Sequence, residues 1–346
     1  MSWRRERIIG GMFGLEEMSS YNTHTPPFFE SGDILLVNAR SGILLLISLL
    51  SPPSVWVPSF LCNAVLQSIY KSDVKINFYE VDYDLAIPSL DWIDNVKSGD
   101  LVVFISYFGF PYDWSYAAAV REKGAWVLED ACQALLSRTE RQFSDFVLFS
   151  PRKFLGVPDG GILAINRGVD FHDIKLQSPP ERWWLKALSA TILRREFDIC
   201  GGDRDWFKLF QEIEAECPVG HYSMSELTRL LLMCALDYSK IAQQRVNNYQ
   251  VLAGELSHVV IFPELPSQVV PLGFPIRLKN RDAVRQRLFS HDIYPPIHWM
   301  IQGIVPSEFR DSHRLAAEIM TLPCDQRYDS EDMDRMAQLL LEVLEK

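Results

Sequence analysis

Between residues 34 and 165, short apolar runs alternate with stretches of helical character. Ile34-Leu35-Leu36-Val37, Val55-Trp56-Val57, Ile76 to Val81, Leu101 to Ile105, Ala125 to Leu128, Phe146 to Phe149 and Ile162 to Ile165 have the length and residue types of strands. Residues 42–50 read as a buried helix, although so apolar a run fits a strand by periodicity alone. Residues 61–70 read as a second helix, and Asp113 is placed to cap a third from Trp114 to Lys123. Such alternation predicts an α/β layer with a mostly parallel sheet. Ligands of these sheets sit beyond the carboxyl ends of the strands, so polar residues just after strands are the ones to inspect.

Past residue 165 the pattern changes. Residues 166–220 are rich in Trp and Arg, including Trp183 and Trp184, and are broken by Gly201-Gly202. They read as irregular, with a helix around 181–194. From Ser223 to about Leu256 a helical pattern runs with few breakers. Strand-like Val269 to Leu278, a helix from Arg281 to His291 and a terminal helix from about Ser330 then form a compact α+β unit. The expected division is a large domain over 1–235, with the N-terminal segment, and a small C-terminal domain over 236–346.

Composition narrows the function. The chain has 346 residues, 48% hydrophobic and 23% charged, enough for two domains with substantial cores. A net charge of −11 argues against a broad basic face for nucleic acid or an anionic membrane. A small phosphate-bearing ligand needs only a few local donors and stays open. The six cysteines (62, 132, 200, 217, 234, 324) include no CxxC pair, which suits a reduced, cytoplasmic protein. With the seven histidines they show no metal-ligand spacing, so no catalytic metal is expected. Ile43 to Leu50 is the longest apolar run and falls far short of the ~20 residues of a membrane span. Arg4, Arg5 and Arg7 before Ile8 to Phe13 weakly resemble a signal peptide, but Glu16-Glu17 follow without a small-residue cleavage pattern.

Three segments that follow strands carry candidate chemistry. Asn38-Ala39-Arg40-Ser41-Gly42 opens a helix, where free N–H groups and a hydroxyl suit a phosphate; an ordinary helix cap at Ser41 is the plainer reading. Glu129-Asp130-Ala131-Cys132-Gln133 places a carboxylate at a strand end, where Asp also serves as a cap. Ser150 to Gly161 puts Lys153 on a constrained loop between two strands, either as a Schiff-base lysine or as a solvated loop residue. Together, in this chain order, they match what pyridoxal phosphate (PLP) requires: donors for its phosphate, a carboxylate for its ring nitrogen and an amine for its aldehyde.

On these residues the chain resembles the DegT/StrS-type sugar aminotransferases. The likeness is carried by Val57-Pro58-Ser59, Glu129 to Gln133, Phe146 to Gly161, Tyr222 to Glu226 and Ile297-His298-Trp299. It implies the PLP-dependent transferase fold of type I, with a large, mostly parallel seven-stranded sheet domain and a small α+β domain. It implies a homodimer with shared active sites, and transfer of an amino group from a donor such as glutamate to a keto sugar on a nucleotide, for surface polysaccharide or glycoside biosynthesis. The alternatives are a PLP-dependent sugar dehydratase or eliminase, and a non-catalytic PLP-fold binding protein. By the resemblance, Lys153 forms the Schiff base and Asp130 pairs with the ring nitrogen. Gln133 lies against the ring or its 3-hydroxyl, and Ser150 lies near the phosphate with Arg40, Ser41 and Gly42. Cys62 stands where the family stacks an aromatic, with Phe60 the candidate substitute. His221 stands where an Asn reaches the partner subunit's phosphate. Tyr107, Phe108, Arg277, His298 and Trp299 are the candidate substrate residues.

Overall fold

A computed structural model describes residues 7–18, 26–138, 141–167 and 174–345. The strands among them are β1 (Ile9–Gly10), β2 (Ile34–Leu36), β3 (Ser54–Pro58), β4 (Lys75–Tyr79), β5 (Leu101–Ile105), β6 (Trp126–Asp130), β7 (Phe146–Phe149), β8 (Gly161–Ile165), β9 (Phe274–Arg277), β10 (Ile293–Tyr294) and β11 (Ile319–Leu322). The helices are α1 (Ala39–Leu50), α2 (Asn63–Tyr70), α3 (Ser115–Glu122), α4 (Glu181–Cys200), α5 (Asp205–Ala215), α6 (Glu226–Cys234), α7 (Tyr238–Leu256), α8 (Arg281–Phe289), α9 (Arg310–Glu318) and α10 (Ser330–Leu344).

Seven strands form one sheet in the order β2-β8-β7-β6-β5-β3-β4. The neighbours from β7 through β6, β5 and β3 to β4 are parallel, and β8 runs antiparallel to both β7 and β2. The expected α/β fold with a large, mostly parallel sheet is therefore present. Every residue of β5 and β7 is buried, as continuous apolar runs require when helices cover both faces. The register sets Asp130 beside Ile105 of β5 and Leu148 of β7, so three strand ends meet at one edge of the sheet.

A second core gathers Tyr249, Leu252 and Leu256 of α7, Phe274 and Ile276 of β9, Met320 and Leu322 of β11, and Met333 to Leu340 of α10. Ile9 belongs to this core, because β1 pairs in parallel with β10.

Three expectations need correction. The stretch 166–220 is largely helical where it is described: α4 runs on to Cys200, and α5 follows the Gly201-Gly202 break. Residues 168–173 of that stretch lie outside the described residues. The single helix expected over 223–256 is two helices, because the Asp237 side chain accepts the Lys240 N–H and caps α7 afresh. The expected strand Val269 to Leu278 shortens to β9, because Leu272 donates instead to the Phe108 carbonyl.

Candidate active site

Asp130 ends β6 with its side chain 8% exposed. Its Oδ1 accepts the Cys132 N–H at 3.0 Å, which fixes the carboxylate at the sheet edge. No cation pairs with it among the described residues, a costly state for a buried charge. β7 ends one residue before Ser150, and a single helical turn, Pro151–Lys153, delivers Lys153 to the same edge. The Lys153 N–H donates to the Ser150 carbonyl at 3.1 Å, closing that turn. Lys153 also lacks an ion-pair partner among the described residues.

Both groups line one cavity of about 850 Å³. Burial works against the Lys153 ammonium, while Cys132, Asp130 and Cys62 favour it; the balance lies above the ordinary lysine value. The Cys132 thiol is pushed well up by burial and then by Asp130. His298 shares the cavity and bonds through Nδ1 to Thr321 Oγ1 at 2.8 Å. Burial, aided by Lys153, pulls its imidazole down to about 3, so the ring is neutral at physiological pH.

Glycine shapes the loop that carries Lys153. A Cβ on Gly161 would stand 2.3 Å from the backbone carbon of Asn38, so β8 meets the start of α1 only with glycine there. A Cβ on Gly156 would stand 1.8 Å from the Gly14 carbonyl, and Glu16 closes the contact by accepting the Gly156 N–H at 2.7 Å. The N-terminal segment thus ties down the lysine loop.

The start of α1 forms another wall. Asn38 caps it by accepting the Ser41 N–H at 3.0 Å, and Ser41 is fully buried. Gly42 lets the helix lie against β7, since a Cβ would stand 2.5 Å from Leu148 Cδ1. Arg40 and Arg152 both reach Glu214 of α5, at 3.4 and 2.5 Å. Burial opposes the Glu214 charge, but Arg152 and Arg40 outweigh it and hold the carboxyl below its ordinary value.

The structure brings Arg40, Cys62, Asp130, Ser150, Lys153, His298 and Trp299 together around the cavity. Phe60 is fully buried behind it, 5.4 Å ring to ring from Trp299, and its carbonyl accepts the Tyr107 hydroxyl. Phe108 holds a positive φ of 55° and donates its N–H to Gln133 Oε1 at 2.9 Å. Gln133 Nε2 is buried without a partner. His221 is exposed, and its carbonyl accepts the Gln177 N–H. Arg277 stands apart from the cavity lining and pairs with Asp84 at 2.6 Å. The sequence reading did not single out Glu214, Thr321 or the cavity-lining N-terminal residues Gly10 to Phe13. For Glu214 a signal existed: Trp206, Leu209, Phe210 and Ile213 repeat at helical spacing and mark an amphipathic α5.

These residues fit PLP. An unpaired buried carboxylate suits a protonated ring nitrogen, an amine without an acceptor suits an aldehyde, and Arg40 with Arg152 supplies positive charge for a phosphate.

No curated protein matches this chain in sequence. Solved structures share its fold at low identity. The aminotransferase TlmJ from Streptoalloteichus hindustanus is 18% identical with a TM-score of 0.64, covering 90% of this chain and 86% of its own. The sugar aminotransferase CalS13 from Micromonospora echinospora is 15% identical with a TM-score of 0.62, covering 90% and 87%. NtdA from Bacillus subtilis, solved with bound cofactor PMP, is 12% identical with a TM-score of 0.65, covering 91% and 73%. In sequence, residues 38–341 match the DegT/DnrJ/EryC1/StrS aminotransferase family, a span that holds every strand of the large sheet except β2. This chain belongs to that family of aminotransferases.

Proposed function

We propose that this enzyme moves an amino group from glutamate to a keto sugar carried on a nucleotide. The observation that carries this reading is the pair of unpaired groups, Asp130 and Lys153, in one cavity beside Arg40 and Arg152. When bound, PLP supplies an aldehyde for an amine and a ring that accepts the electron pair of a carbanion. Asp130 pairs with the ring nitrogen and keeps its proton in place. Lys153 would anchor the cofactor through its amine and, when that amine is free, would move a proton at the donor α-carbon. Arg40 and Ser150, which line the cavity, would hold the phosphate, while Ser41 and Gly42, expected beside it, are buried behind the cavity wall; the buried Gln133 Nε2 has a donor to spare for the 3-hydroxyl. Neutral His298, oriented by Thr321, takes a substrate hydroxyl without adding charge.

The family supports the sugar as acceptor, and the retained Lys153 favours transamination over dehydration. A homodimer, a cytoplasmic location and a place in surface polysaccharide or glycoside assembly complete the proposal. Among the described residues no helix is long and apolar enough to cross a membrane. Incubating the PLP-loaded protein with glutamate and nucleotide-linked keto sugars tests the reading. An amino sugar and 2-oxoglutarate in equal amounts are expected; elimination products, or consumption of neither substrate, would overturn it.

A further inference from the structure

Five arginines line the cavity: Arg40, Arg152, Arg204, Arg285 and Arg327. Four pair with carboxylates of this chain. Arg40 and Arg152 share Glu214, Arg204 pairs with Asp292 at 2.9 Å, and Arg327 pairs with Asp325 at 2.8 Å. Arg285, on α8, is different. Its Nε donates to the Pro295 carbonyl at 2.8 Å, and its guanidinium lies 4.5 Å from the centre of the Phe289 ring. No carboxylate of the described residues lies within ion-pairing distance. Asp282, one turn earlier on α8, is taken by Arg281 Nε at 2.9 Å.

Two contacts therefore fix the plane of the Arg285 guanidinium while its terminal N–H groups keep no partner among the described residues. That is the arrangement of a fork prepared for a bidentate oxyanion. Burial and the neighbouring Arg281 disfavour its charge more than the nearby Asp282 favours it. Phe289 and Tyr294 line the cavity beside it, and Trp206 and Phe207 of α5 add apolar wall.

We propose that Arg285 reads an oxyanion of the substrate, a phosphate or a carboxylate, on the small-domain wall of the active-site cavity. This rests on the aminotransferase reading for what enters the cavity, but not for its test. The PLP-loaded protein is used, so that the cofactor already fills the phosphate site, and binding of inorganic pyrophosphate and of glutarate is measured by calorimetry. Arg285→Ala is expected to keep its PLP and to lose about 10- to 100-fold in affinity for one of the two probes. Arg285→Lys, which keeps the charge without the fork, should recover part of that loss. Loss confined to pyrophosphate assigns the site to a phosphate of the acceptor, and loss confined to glutarate assigns it to a carboxylate of the donor. Unchanged affinity for both probes in both variants would overturn the assignment. A wild-type protein that binds a probe but leaves glutamate unreacted would count against the aminotransferase reading and leave the Arg285 result standing.

Discussion

Replacing Asp130 by Asn separates two effects that this site sets against each other. The substitution preserves shape, and its Oδ1 can still accept the Cys132 N–H held at 3.0 Å. What disappears is a buried charge with no ion-pair partner, 8% exposed at the end of β6. In the cofactor-free protein the desolvation cost of that charge is set against its attraction for Lys153 and the Cys132 N–H bond. The two nearly cancel, so the cofactor-free variant should be within about 1 kcal/mol of wild type in stability. With PLP bound the sign reverses. A charge-assisted hydrogen bond to the ring nitrogen becomes a neutral one, a loss of about 2 to 3 kcal/mol, or roughly 30- to 150-fold in PLP affinity. The glutamate half-reaction should slow by at least about 100-fold, since removing one preorganised electrostatic group at a reacting centre has that scale. Thermal unfolding without cofactor, a PLP titration and stopped-flow absorbance with glutamate measure the three quantities. A variant destabilised by more than about 1 kcal/mol in the cofactor-free state, with PLP affinity intact, would show Asp130 to be a structural cap and refute this reasoning.

Two further predictions use neighbouring groups. Glu129 is fully buried with Oε2 unpartnered, and burial pushes its carboxyl from 4.5 up to about 7. A raised carboxyl binds its proton more tightly in the folded state, so stability is full below pH 4.5 and falls as pH rises towards 7. Glu129→Gln keeps an acceptor for Ser106 Oγ and should raise stability at pH 8 by about 2 to 3 kcal/mol, with little change at pH 4; a gain of equal size at both pH values would contradict the titration. Glu214 offsets one of the two positive charges of Arg40 and Arg152 where the phosphate is placed, so Glu214→Gln should tighten PLP binding by about tenfold at low salt. Weaker binding in that variant would mean that Glu214 serves to position the two arginines.

Much of this architecture was legible because strand runs are local. Leu101 to Ile105 and Phe146 to Phe149 are strands at the expected residues, and Asp130, Ser150 and Lys153, at or just past the ends of β6 and β7, do meet at one cavity. Helix boundaries were less legible where packing overrides pattern. Ala235-Leu236-Asp237 contains neither Gly nor Pro, yet it separates α6 from α7 because Asp237 caps the second helix. The groups that pair across the fold were least legible. Glu214 meets Arg40 over 174 residues of chain, and no spacing rule connects them. Arg285 stands out only once the partners of the other four cavity arginines are known. The Ile8 to Phe13 run, which weakly resembles a targeting segment, instead lines the cavity and pairs through Ile9 with Ile293.

The central claim is that Lys153 bonds to PLP in this cavity, and the visible spectrum of the PLP-loaded protein, freed of excess cofactor, tests it most directly. Wild type should show a band near ~420 nm that glutamate converts to one near ~330 nm, and Lys153→Ala should lack the first band while remaining folded by circular dichroism. A wild type without the band, or a Lys153→Ala variant that keeps it, would contradict the account.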